Sequence, residues 1–198
     1  MLSTLFGKKE DTESPAIFKD KVFIHLTGKM NACLQLAKIQ PEAIFIAWFD
    51  ETAETYKAFF VQNGIDEDRI TTVNKIDITI PQNHQPVFLE HYPLPAKELE
   101  LVKDWQLKNI PVFSAMDEPL FKHFGSDKMI PLIKLFGMKE SEAIEHSYVT
   151  ESIIKGQGKI ANKVITEQTA NSQAEWMNKN MNDQSTLHSS ASNNSSPQ

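Results

Sequence analysis

The segment His25-Leu26-Thr27-Gly28-Lys29-Met30-Asn31 sets a glycine and a lysine between an apolar run and a helical pattern, which is where an anion site is often found. A phosphate loop needs more: a glycine five residues before that Gly, and Ser or Thr after the Lys, so that amides wrap the phosphates and a hydroxyl holds magnesium. Phe23 and Met30 stand at those positions. Gly28 and Lys29 therefore read as an ordinary strand-to-helix turn, offering at most a helix N-terminus to a weakly held anion. The histidines, at 25, 84, 91, 123, 146 and 188, show no i, i+3 or i, i+4 pair with a carboxylate in register, so no metal site is expected. His91, beside Glu90, follows an apolar run and falls where α/β folds bind ligands, but a loop histidine satisfied by its neighbours is the plainer reading. His146 beside Glu145 reads as a helix cap or a surface pair. No serine sits in a G-x-S-x-G elbow, and Cys33 has no neighbouring motif that would lower its pKa. No catalytic residue and no cofactor are expected.

Strands and helices must alternate to position these residues. Residues 21–26, 43–49, 69–76, 87–92 and 110–116 read as strands, the second as a continuous apolar run of the kind buried on both faces. Between them, 30–40, 51–64 and 95–109 show helical spacing; Pro41 stops the first, Asp50 and Thr52 cap the second and Gly64 closes it. The pattern predicts an α/β fold, a mostly parallel sheet with flanking helices. After Met116 the chain turns helical: short helices over 117–125 and 126–137, then from Ser141 a single helix of about forty residues, weakened at Gly156 and Gly158. Trp48 and Trp105 lie in apolar patterns and are expected in the core. Trp176, among polar residues in NSQAEWMNKN, is either an exposed anchor for a partner or is buried by the helix folding back.

The expected organisation is a polar, unfolded N-terminus over 1–16, an α/β lobe over 17–125, a helical extension over 126–180 and a Ser/Asn-rich unfolded tail over 181–198. With 40% hydrophobic residues the chain can bury a real core. The net charge of -6, with Arg69 the sole arginine and no basic stripe, argues against DNA and RNA as partners. No apolar run is long enough to span a membrane, and the first residues lack the apolar centre of a signal peptide, so a cytoplasmic protein is expected. A single cysteine agrees with a reducing compartment.

One stretch carries more specific information. Asp117, Leu120, FGSD (124–127), LFGM (135–138), Glu140, Glu142, IEH (144–146), Val149, Ile153, Gln157 and Lys159 stand in an order and spacing that resembles the SecA preprotein translocase ATPase. The likeness lies at the exit of that family's second, RecA-like nucleotide-binding lobe and the start of its helical scaffold, and covers about residues 110–160. The α/β part before it is similar to the second lobe only in its succession of strands and helices. The resemblance also implies a Q-x-x-G-R-x-G-R motif before the strand 110–116, whose arginines reach the nucleotide. Here LELVKDWQLKNI stands in that place, without arginine or glycine. Lysine does not reproduce the fixed, forked charge of an arginine finger. The 198 residues also show no counterpart of the first lobe or of the family's preprotein cross-linking insertion.

Two readings follow. The first is a non-catalytic, SecA-like, degenerate module for protein interaction or regulation, linked to preprotein translocation and docking onto SecA or other export machinery, with Phe124, Glu145, His146, Val149 and Trp176 as partner-binding candidates and self-association left open. The second is a small-molecule or nucleotide-binding α/β enzyme whose site gathers Thr27 to Lys29, Asp50 and His91 to Pro93 at the carboxyl edge of the sheet. A translocation ATPase completed by a partner chain is a third idea, opposed by the missing arginines.

Overall fold

In the computed structural model, which describes residues 18–76 and 79–182, the apolar runs pair into one six-stranded sheet. The strands are β1 (Phe18–Phe23), β2 (Ala43–Ala47), β3 (Ile70–Thr72), β4 (Gln85–Phe88), β5 (Ile110–Ala115) and β6 (Ala143–Ile144), in the order β3-β2-β4-β5-β1-β6. The first five run parallel, and β6 is antiparallel to β1, with Val22 opposite Ile144 and Phe23 opposite Ala143. The fold is α/β, as expected. The β4–β5 ladder pairs only at Phe88 and Val112. In that register Pro86 and Pro111 fall on the two strands just before the pair, and neither has an amide hydrogen to give.

The helices cover both faces. Against one lie α1 (Leu26–Ile39) and α2 (Asp50–Gln62), burying Cys33, Ala37, Tyr56 and Phe60 on Phe45, Val87, Leu89 and Phe113. The alternate strand residues, Ile46, Phe88 and Val112, turn to the other face, where α4 (Pro95–Val102) contributes Val102. This alternation is the period of two that a strand buried on both faces must show. Trp48 and Trp105 stack on Phe88 there, at 5.7 and 5.9 Å between ring centroids. α2 starts with Asp50 and Glu51, which suit the positive end of a helix, and ends at Gly64 with φ of 75°. Arg69 caps the end of α1: its Nε donates to the carbonyl of Ala43 and an Nη to that of Gln40, both at 2.7 Å.

Several spans differ from the pattern reading: β1 lies at 18–23 where a strand was expected over 21–26, α1 already begins at Leu26, and β4 lies at 85–88 where a strand was expected over 87–92. The strand expected over 69–76 is only Ile70–Thr72, followed by a 3-10 turn, Val73–Lys75, at the sheet edge. The helix expected over 95–109 ends at Val102, and the chain reverses at Gln106 with φ of 56° so that Trp105 and Leu107 reach the core. The largest difference lies after Met116. α3 (Ile80–Asn83) is a single turn before β4, and α5 (Pro119–His123) and α6 (Ile130–Leu135) are the short helices expected after β5. The forty-residue helix is instead α7 (Ser147–Ala161), an irregular return over 162–172, α8 (Gln173–Met177) and a π-helical turn, Asn178–Asn182. α7 packs on β1 and α4, and the return brings Trp176 into a third cluster with Tyr92, Leu120, Ile153 and Ile160. Burying an indole and two isoleucines outweighs continuing a helix through a polar stretch, since each full burial contributes about 1.5–3 kcal/mol. The expected unfolded termini lie outside the described residues, except for 181 and 182.

Candidate functional site

The connections diverge between β2 and β4: α2 leaves β2 toward one face and α4 leaves β4 toward the other, so their carboxyl ends open the crevice where doubly wound sheets hold ligands. The chain places its own carboxylate there. Glu90 Oε1 accepts from the amides of Trp48 (3.2 Å) and Phe49 (3.3 Å), and Oε2 accepts from Thr52 Oγ1 (2.9 Å), so Glu90 satisfies the start of α2. Burial pushes the Glu90 carboxyl up to about 7; the Lys29 ammonium opposes this and the Glu118 charge adds to it.

Lys29, in the first turns of α1, is 1% exposed. Its ammonium donates to Glu118 Oε1 and to the carbonyl of Leu89, and lies 5.5 Å from the centre of the Tyr56 ring. Among the described residues, Glu118 Oε2 is buried without a hydrogen-bond partner. A Cβ on Gly28 would stand 2.1 Å from the carbonyl oxygen of Glu140, so this glycine permits close passage of the 140 segment. Gly28 and Lys29 thus serve internal contacts; neither forms an open phosphate cradle. Burial also pushes the Cys33 thiol up to about 12, which keeps it protonated and inert at neutral pH.

Above these groups is a cleft of about 160 Å³. Its walls are Leu26 and Lys29 of α1, the Glu51–Tyr56 stretch of α2, Glu90, Glu118 and Pro119, and its roof is Ser172 to Ala174. The roof is fastened. The amide of Glu51 donates to the carbonyl of Asn171 (3.1 Å), and Ser172 caps α8 by accepting from the amide of Glu175 (3.1 Å).

His91 lies outside the cleft, in a buried network that joins the lobe to the helical extension. Its Nε2 is 2.7 Å from Asp20 Oδ1 and its Nδ1 2.9 Å from Glu98 Oε1. Burial disfavours the charged imidazolium, but the two carboxylates outweigh it and raise His91 to about 10, so both ring nitrogens donate at neutral pH. Burial likewise works against the Asp20 anion, yet His91 and Thr150 hold its carboxyl below the usual value. α7 enters here. Thr150 donates to Asp20, and Gln157 Nε2 lies 2.7 Å from the carbonyl of Tyr92 and 2.8 Å from Glu98 Oε2. Gln173 closes the circuit by donating to the carbonyl of His91 (3.1 Å) and accepting from the amide of Leu120 (2.8 Å).

The residues expected to meet a partner scatter. Glu145 is exposed and paired with Lys21 at 3.1 Å; His146 caps α7 by accepting from the amide of Tyr148 (3.2 Å), with the Tyr148 ring stacked on it. Phe124 is half-buried against Gly156, and Val149 packs beside the Trp176 cluster. Trp176 is 0% exposed and its Nε1 donates to Glu167 at 2.8 Å, which realises the fold-back reading and removes it as a surface anchor. Of the ligand-edge set, Lys29 reaches the cleft, while His91 turns to the joint. Sequence reasoning missed Asp20, Glu98, Glu118 and Glu167, whose partners lie across the fold; Gln157 was singled out only through the resemblance.

No protein-family model matches the chain. Among curated proteins, it is similar over 51 residues, 26% of its length, to the protein translocase subunit SecA of several bacteria. Identity is 45% with that of Acidithiobacillus ferrooxidans, 39% with that of Ehrlichia canis and 35% with that of Psychrobacter cryohalolentis. The stretch spans about 6% of the length of each of these relatives, so the likeness is to a short region of SecA.

Proposed function

We propose that the chain is a non-catalytic interaction module of SecA-like character that acts in the cytoplasm beside the preprotein export machinery. The observation that carries this reading is what several of the SecA-like residues do: they fix the end of the lobe and seat the helical extension on it. Asp117 accepts from the amide of Leu26 (2.9 Å) and so caps α1. Gln157 bridges Tyr92 and Glu98, and Phe124 packs against α7 at Gly156. The cations a nucleotide would need are otherwise engaged, Lys29 with Glu118 and Arg69 with the end of α1. The extension also exposes apolar side chains. Leu135 and Phe136, at the end of α6, are 79% and 86% exposed, and Met129 and Leu132 precede them. On this reading α6 is the docking element, and SecA or its membrane channel is the partner.

The test uses purified components. The chain is titrated calorimetrically with SecA from its own organism and, separately, with the reconstituted channel. Binding to one of them is expected, and Leu135→Asp together with Phe136→Asp should weaken it about 100-fold, the loss of two buried apolar anchors. Val61→Asp, exposed on α2, should leave the affinity unchanged. Absence of binding to both partners would sink the reading.

A further inference from the structure

The cleft at the β2/β4 crevice has no part in the docking reading, and its chemistry is specific. Two buried carboxylates, Glu90 and Glu118, line it with one buried ammonium, Lys29, and burial raises both carboxyls above the usual range. Glu118 Oε2 is buried without a donor, and a buried acceptor left unmet costs about 1–3 kcal/mol, more when charged. We propose that this cleft binds a small primary amine, held as its ammonium by Glu118 beneath the α8 segment.

The chemistry excludes the obvious competitors. A carboxylate or phosphate ligand would add negative charge beside two buried acids, with Lys29 already committed to one of them. A divalent cation would need several free oxygen ligands, and here Glu90 is spent on α2 while an ammonium sits on Glu118. An ammonium group brings three donors and a single charge, enough to meet Glu118 Oε2 once that carboxyl turns toward the cleft. Size sets the class further. About 160 Å³ is the space of roughly five waters at about 30 Å³ each, which suits a short alkyl amine or amino alcohol. Leu26, Pro119 and Ala174 supply apolar wall for its stem.

The probe is ethylamine hydrochloride, titrated into the isotope-labelled full chain and followed by amide shifts, with ethanol and sodium acetate at matched ionic strength as comparisons. Saturable shifts at Thr52, Leu89 and Gln173 are expected with ethylamine, and none with ethanol or acetate. Glu118→Gln should weaken binding at least tenfold. Because that change also disturbs the Lys29 pair, a second variant is needed: Thr55→Trp, on the exposed wall of the cleft, fills the mouth without touching the buried charges and should abolish the shifts. Three results would overturn the proposal: no saturable response to ethylamine, an equal response to ethanol, as a merely water-filled void gives, or a response that survives Thr55→Trp. None of them bears on SecA binding, so the two readings fail separately.

Discussion

Replacing His91 with leucine removes the one cation between Asp20 and Glu98, all three of them buried. Breaking a buried ion pair by deleting one partner costs about 3–5 kcal/mol, because the remaining charge is left uncompensated. Here some compensation survives. Thr150 still donates to Asp20, and the Tyr92 amide and Gln157 still donate to Glu98, which sets the expected loss at the lower end, about 3 kcal/mol. For a chain of this size 1 kcal/mol moves Tm by about 2–4 °C, so thermal unfolding followed by circular dichroism should shift down by about 6–12 °C. Adding Asp20→Asn to His91→Leu should cost less than the sum of the two single changes, since the second removes a charge the first has orphaned. A loss below about 1 kcal/mol for His91→Leu, or strict additivity in the pair, would refute the network as the joint's main polar support.

The same residue fixes a pH dependence. The folded-state pKa of His91 is raised to about 10, above an ordinary value of about 6.5. The folded protein then binds more protons than the unfolded chain between those limits. Its contribution is complete below about pH 6.5 and is lost as pH rises toward 10, by up to about 1.4 kcal/mol per pH unit. Glu90, raised to about 7, works in the same direction at lower pH, with loss between about 4.3 and 7. Urea titrations from pH 5 to 10 should therefore show falling stability throughout, and His91→Leu should flatten only the upper half.

The glycines separate space from propensity. Gly28→Ala drives a Cβ against the backbone of Glu140 and should destabilise by about 1–3 kcal/mol, whereas Gly158→Ala on α7, with open space around it, should stabilise by up to about 1 kcal/mol. Gly156→Ala falls between, because the Phe124 ring it meets at 2.4 Å is a side chain that can swing away. Denaturant midpoints of the three variants in that order would check the assignment. Trp176→Ala should cost about 3–5 kcal/mol, and limited proteolysis should then cut first within 162–182.

β2 was legible because its apolar run is continuous, whereas β6 fell inside the helix expected from Ser141; Gly64 announced the end of α2 by the conformation it must adopt there. The return after α7 was not. Periodicity alone extends α7 through Trp176, and what ends the helix is tertiary: Glu167 accepts from Tyr92 and Trp176 and pairs with Lys97, and Asn180 locks the backbone of Gln168 at 2.7 and 2.9 Å. The fate of the candidate residues has the same origin. Lys29 read as part of an ordinary strand-to-helix turn, and the sequence could not show that Glu118 meets it from 89 positions away. Arg69, the sole arginine, is claimed by the open carbonyls at the end of α1, which its sequence neighbours do not show.

Gln173 gives the joint and the cleft a shared mechanical element. It stands in the roof of the cleft, yet its amide ties Leu120 to the backbone of His91, between the two buried acids of the joint. A roof seated in this way cannot lift without releasing the carbonyl of His91, and loosening His91 must loosen the roof. The two sites therefore belong to one cooperative unit, and the link is reciprocal: whatever fills the cleft and steadies α8 also steadies the seat of α7. Amide exchange across Ser172 to Met177 should consequently quicken in His91→Leu even though α8 is untouched, a coupling that a purely local defect at the joint would not produce.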